Sequence, residues 1–213
     1  MSRFQIRKVA VLGAGVMGAQ IAAHLANARM PVILFDLAAQ DGSDKNAIAN
    51  KAIAGLSKQK PAPLGRAADA ALITPANYDD HLHWLGECDL VIEAIAERMD
   101  WKHALYERIA PKLAKHAILA TNTSGLSISA LGAPLAPELA ERFCGVHFFN
   151  PPRYMSLVEI IPTPASSTQA LNNLETFVTT VLGKTVVRAK DTPNFIANRV
   201  GTAGMLATIV EAE

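Results

Sequence analysis

Residues 8–36, KVAVLGAGVMGAQIAAHLANARMPVILFD, leave few folds open to this chain. They read as a short apolar strand (Val9 to Leu12), a glycine turn, an alanine-rich helix, and a second apolar strand (Val32 to Phe35) closed by Asp36. Gly13 permits a tight exit from the strand, Gly15 lets backbone come close to a pyrophosphate, and Gly18 lets the helix lie against the sheet. Val16 and Met17 open the helix, and its first turn offers unpaired N–H groups and the positive end of a dipole to an anion. Asp36 stands where a carboxylate accepts hydrogen bonds from ribose hydroxyls. A purely structural strand-turn-helix leaves the glycine triplet and the terminal acid unexplained, so the segment implies a bound dinucleotide. Leu37, Ala38 and Ala39 follow with no Arg or Lys to hold a 2′-phosphate, which favours NAD over NADP.

With 213 residues, half of them apolar, the chain can bury one large α/β core. The fold expected is α/β: a Rossmann-like, doubly wound, mostly parallel sheet with flanking helices. A net charge of +1 gives no reason to expect nucleic acid or a charged membrane surface as a partner. No apolar run approaches the length of a membrane span, no leader is evident, and a cytoplasmic location is expected. No metal is expected either. Cys88 and Cys144 stand apart beside apolar strands and read as reduced core thiols.

Further along, Ser43 to Lys60 places Ala47, Ile48, Ala52, Ile53 and Leu56 on one face, predicting a helix that ends before Pro61. Its lysines, Lys58 and Lys60 among them, read first as a solvated face and second as phosphate ligands. Asp89 to Ala94 is an apolar strand ending in Glu93, with Glu97 close behind. Polar groups at this sheet edge are candidates for nicotinamide and ribose contacts. Asp100 to Leu113 predicts an amphipathic helix through Trp101, Leu105, Ile109 and Leu113. Lys102 in its first turn opposes the dipole, which hints at another use. Ile118 to Thr121 is a strand running into Asn122-Thr123-Ser124-Gly125, small polar groups that could face a ligand or simply cap a turn.

Arg142 to Asn150 is a strand with one ionisable residue in apolar company, His147. Leu157 to Ile161 is another, interrupted by Glu159. A buried Glu is costly unless paired, and an imidazole is a suitable partner, so the two are expected to face each other. His147 is then either a catalytic base or a satisfied core histidine. The other histidines fall on helices or links that read as polar. Thr168 to Leu182 predicts a helix and Thr185 to Val187 a last strand. Asp191-Thr192-Pro193 reads as the opening of a very apolar helix, which suggests residues 1–190 as one domain and 191–213 as a linker and the first helix of a truncated helical domain.

These residues together resemble the NAD-binding domain of the L-3-hydroxyacyl-CoA dehydrogenase family, along nearly the whole chain. The shared motifs are Gly13-x-Gly15-x-x-Gly18, Glu93-Ala94-x-x-Glu97 with Lys102, Asn122-Thr123-Ser124, Gly145-x-His147-Phe148-Phe149-Asn150-Pro151, Glu159, and Asp191-Thr192-Pro193-x-Phe195-x-x-Asn198-Arg199. Asn-Thr-Ser-Gly, Asn-Pro-Pro-Arg-Tyr and residues 58–64 are similar to a long multidomain bacterial branch. The resemblance implies oxidation of an (S)-3-hydroxyacyl-CoA to the 3-oxoacyl-CoA in fatty-acid β-oxidation. His147 would be the general base, Glu159 would orient it, and Ser124 and Asn198 would hold the oxygen at C3. Asp36, Glu97, Lys102, Ser124 and Asn150 would contact NAD, and Lys58 or Lys60 the phosphates of coenzyme A. It also implies a helical domain after this one, without which the thioester pocket is half built. The fragment is therefore expected to bind NAD and turn over poorly, and its apolar last helix could pair with a second copy. Two other readings stay open: a dehydrogenase of a free hydroxy or sugar acid on the same fold, and a domain that only binds NAD.

Overall fold

The structure is a computed structural model that describes residues 4–212. One eight-stranded sheet runs through it in the order β3-β2-β1-β4-β5-β6-β7-β8. The first six strands of that order are β1 (Val9–Leu12), β2 (Val32–Asp36), β3 (Ile73–Asn77), β4 (Leu90–Glu93), β5 (Ile118–Thr121) and β6 (Phe143–Phe148), all parallel. β7 (Leu157–Pro162) turns back antiparallel to β6, and β8 (Thr185–Arg188) runs parallel to β7. The order reverses between β1 and β4, so the crevice at the carboxyl ends of these two strands is where an open α/β sheet of this kind takes a ligand.

Helices cover both faces: α1 (Val16–Asn27), α2 (Ala47–Gly55), α3 (Met99–Ile109), α4 (Ile128–Gly132), α5 (Pro137–Ala140) and α6 (Thr168–Thr180), while α7 (Ala197–Ala212) contributes to neither core. On one face, Ile21, Ala22, Leu25 and Ala26 of α1 and Leu171, Leu174, Phe177 and Val178 of α6 share a core with Val11, Leu34, Ile92 and Val146 of the strands. On the other, Leu105, Tyr106 and Ile109 of α3 pack with Leu12, Phe35, Leu119 and Phe143. A fully buried Leu or Ile contributes about 1.5–3 kcal/mol, so these two layers are the main source of stability. The α6 stripe recurs at three- and four-residue spacing, and the helix starts where the Ser167 side chain accepts from the N–H of Ala170. Cys88 and Cys144 are buried free thiols, and burial pushes both up to about 12.

Three expectations change. The helix after β2 starts at Ala47 instead of Ser43, because Gly42 takes φ 88° and the Asp44 side chain accepts from the N–H of Asn46 and the amide of Asn50, closing a turn first. His24 is not on a polar helix. It lies on α1 with Nε2 at 3.2 Å from the carbonyl of Leu182, and burial, helped by the like charges of Lys184 and Arg153, lowers it to about 4. The last helix begins at Ala197, four residues beyond Pro193, since Asn194 and Phe195 have φ of 62° and 50° and cannot belong to it. Among the described residues no helix is long and apolar enough to cross a membrane. Along α7, Val200, Met205, Leu206, Ile209 and Val210 are all exposed.

Candidate active site

Gly13 leaves β1 with φ 103°, and a Cβ there would lie 2.8 Å from the carbonyl oxygen of Ala94. A Cβ on Gly18 would lie 1.8 Å from the carbonyl of Gly13, which is how closely α1 sits on the turn. At Gly15 the space a Cβ would take is open, with nothing within 4 Å. The first turn of α1 has no side-chain cap and no acidic residue, so its N–H groups remain unspent for an anion. Val16 is exposed at its tip, and Met17 packs against the core.

Asp36 ends β2 beside this turn. Its carboxylate accepts from the N–H of Ala14 at 2.5 Å and of Leu37 at 2.7 Å. A cavity of about 510 Å³ opens there, lined by Gly13, Gly15, Asp36 and Leu37 on one side and by Ile95, Trp101 and Arg108 on the other. Its walls are mostly apolar with one carboxylate at the edge, a setting for a flat base and its ribose. Trp101 was expected in the core of its helix. It is instead exposed at this cavity, with the Arg98 guanidinium 4.6 Å above its ring. Gly15→Val should weaken NADH binding about tenfold or more, ~1.4 kcal/mol, and leave the melting temperature nearly unchanged, while Gly18→Ala should lower the melting temperature. Fluorescence titration and thermal melts check both.

At the next strand end the two acids divide. Glu97 is exposed, and its carboxylate accepts from the hydroxyl of Thr123 at 2.5 Å and the N–H of Ser124 at 2.8 Å. Glu93, expected in the crevice, is fully buried. It accepts from Lys102 Nζ at 2.6 Å, the N–H of Ile95 at 2.7 Å, Tyr106 OH at 2.8 Å and Thr121 Oγ1 at 2.7 Å. Lys102, expected at the dinucleotide, is therefore turned inward with no exposed surface. Leu105, Tyr106 and Ile109 carry that face of α3 into the core, and the ammonium finds its counter-charge there. Spacing alone held the clue, since Lys102 and Tyr106 lie one helical turn apart on the buried face.

His147 and Glu159 sit directly opposite in the β6–β7 ladder. His147 Nδ1 is 2.8 Å from Glu159 Oε2, with side-chain exposures of 6% and 1%. The buried carboxylate makes Nδ1 the protonated nitrogen, leaving Nε2 with no protein partner among the described residues. Phe149 packs 4.4 Å from the imidazole, and the N–H of Phe148 donates to Asn122 Oδ1 at 2.9 Å, fixing the strand end. Asn150 is exposed just past it. Asn198 lies in the first turn of α7, half-buried.

One group beside the pair was not expected there, and one lies elsewhere than its motif implied. Phe195 is buried with its ring 5.6 Å from the imidazole, and Asp191, away from the pair, does not cap its own helix. Asp191 accepts from Ser127 Oγ and from the N–H groups of Ile128 and Ser129 at the start of α4. Burial alone would raise its pKa, and these bonds, Ser129 first, more than offset that. Lys58 and Lys60 are exposed on the turn after α2, which Gln59 ties to Gln20 of α1, so the structure does not bring them to the pair.

Residues 8–192 match the family model described as 3-hydroxyacyl-CoA dehydrogenase, NAD binding domain. A Bacillus subtilis protein named "Probable 3-hydroxyacyl-CoA dehydrogenase" is 42% identical over 220 residues, covering 97% of this chain and 28% of that one. A Deinococcus radiodurans protein of the same name is 41% identical over 209 residues, covering 98% of this chain and 60% of that one. Among solved structures, FadB2 of M. tuberculosis superposes with a TM-score of 0.83 at 32% identity, over 98% of this chain and 73% of that one. The chain thus spans little more than a quarter of its longer relative.

Proposed function

The chain belongs to the 3-hydroxyacyl-CoA dehydrogenase family, within its NAD-binding domain, and we propose that it carries the dinucleotide site and the general base of an NAD-dependent oxidation of (S)-3-hydroxyacyl-CoA to 3-oxoacyl-CoA. NAD, when bound, supplies the hydride acceptor. The residues present fit it: an open cradle over Gly15, uncapped N–H groups at α1, and Asp36 beside an apolar cavity. Glu97 and Ser124, already joined, form the continuation of that site toward the nicotinamide end, with Asn150 beyond them.

The observation that carries the reading is the His147–Glu159 pair. Binding alone does not call for a base, whereas oxidation of an alcohol does. His147 Nε2 takes the proton of the C3 hydroxyl, and Glu159 holds the tautomer and stabilises the imidazolium. An imidazole suits the task because one ring nitrogen can keep its proton on the carboxylate while the other accepts a proton and returns it. Ser124 and Asn198 donate to the oxygen at C3, where hydrogen bonds strengthen as charge shifts. Lys58 and Lys60, exposed and unpaired among the described residues, are available to the phosphates of coenzyme A.

Residues 1–190 form the dinucleotide domain in this reading, and 191–213 lead into a helical domain. The exposed apolar side of α7 supports that division and gives a second copy of the chain a surface to pair with. In this reading, turnover by the 213-residue chain alone is expected to be slow. The test compares NADH oxidation with acetoacetyl-CoA and with free acetoacetate and sugar acids. A faster rate with the thioester supports the proposal. A faster rate with the free acids assigns the fold to hydroxy-acid oxidation instead. NADH binding with no turnover of any of them leaves a binding domain.

A further inference from the structure

The side of the Glu159 carboxylate that does not face His147 is also occupied. Its Oε1 accepts from the N–H of Ile196 at 3.0 Å and of Ala197 at 2.9 Å, the entry to α7. Beyond that first turn α7 is exposed, and its start is held by these two bonds and the buried ring of Phe195, with Arg199 donating back to Thr192 Oγ1. We propose that the connector 191–197 is a positioning element for the base, with Phe195 its positioning residue and Glu159 shared between the imidazole and the helix. This rests on the reading of His147 as the base.

The side chain at 159 has to accept hydrogen bonds on both sides. A carboxylate does so. A glutamine cannot, since one of its two ends is a donor. The helix amides and the positive end of the α7 dipole stabilise the charge on Glu159, and that charge holds the proton on Nδ1 and leaves Nε2 free. Asn194 and Phe195 both have positive φ, 62° and 50°, a backbone region that non-glycine residues seldom adopt. That conformation turns the Phe195 ring inward to 5.6 Å from the imidazole at 62° and aims the next two amides at the carboxylate. At its other end the connector is fixed by Asp191 on the first turn of α4. Coupling of this kind is reciprocal: a change that loosens the connector frees the imidazole, and a change at the carboxylate frees the helix.

The experiment uses the 213-residue chain and needs no substrate, so its outcome is separate from that of the acetoacetyl-CoA comparison. NMR follows the Nδ1 proton and the 15N shifts of His147, hydrogen exchange follows the amides of Ile196 and Ala197, and fluorescence gives the NADH dissociation constant. In Phe195→Ala both amides should exchange about tenfold faster or more, and the Nδ1 proton should broaden into exchange with water, with NADH affinity within about twofold. Phe195→Leu, which keeps apolar volume, should restore much of the protection. Glu159→Gln should either expose the two amides or switch the tautomer of His147. If Phe195→Ala does not fold, Asp191→Asn, which touches neither ring nor carboxylate, carries the same expectation. Unchanged amide exchange and an unchanged Nδ1 proton in these variants would make the connector a plain tether. A parallel loss of NADH affinity would make it a general support of the fold, and either result overturns the proposal.

Discussion

His147→Gln is expected to lower the single-turnover rate of NADH oxidation by acetoacetyl-CoA by about 10²–10⁴-fold, the range general acid–base groups supply, while the NADH dissociation constant stays within about twofold. The substitution is chosen for its geometry. His147 is 5% exposed and its Nδ1 meets Glu159 Oε2 at 2.8 Å. A glutamine amide can donate to the same carboxylate and fill most of the same volume, so the β6–β7 ladder need not move. What it cannot do is accept a proton at the position of Nε2. NADH affinity is expected to hold because the glycine turn and Asp36 belong to β1 and β2, with β4 and β5 between them and β6, and Asn150 just past β6 keeps its place if the ladder does not move. Measuring both quantities on one preparation decides the matter. Equal losses in rate and affinity would make His147 a structural residue.

The parts of this site that could be read from the sequence are those whose signal is local. Gly13, Gly15, Gly18 and Asp36 fall within one strand-turn-helix-strand unit, and the backbone takes the form that spacing implied. The facing of His147 and Glu159 was legible because each interrupts an apolar strand, and two neighbouring strands of opposite direction bring such residues together. What could not be read depends on partners far along the chain. Asp191-Thr192-Pro193 has the form of a helix start, yet its carboxylate is spent on amides more than sixty positions earlier, at Ile128 and Ser129. Phe195 looked like one more apolar residue of a helix, and only the positive φ turns it onto the imidazole. Glu93 and Glu97 look alike in sequence, four residues apart at one strand end. Their fates differ because Lys102 and Tyr106 approach one from below while Thr123 and Ser124 meet the other at the surface.

That division yields the largest stability effect expected. Lys102→Met should destabilise the chain by about 3–5 kcal/mol, the cost of leaving one member of a buried ion pair alone. Lys102 and Glu93 both have no exposed side-chain surface, and their charged atoms are 2.6 Å apart, so solvent does not replace the lost partner. Tyr106, Thr121 and the N–H of Ile95 still donate to the carboxylate, which places the cost toward the lower end. At roughly 2–4 °C per kcal/mol for a chain of this size, the melting temperature should fall by on the order of 10 °C. Adding Glu93→Gln should recover much of the loss, because a neutral amide can use the two hydroxyls without a counter-ion. Thermal and urea melts of the two single variants and the double variant close the cycle. A double variant no better than Lys102→Met would show that the lysine stem, not its charge, is what α3 packs on. Recovery would identify the pair as an electrostatic brace under residues 94–97, where the same strand end turns outward to present Glu97 to Ser124.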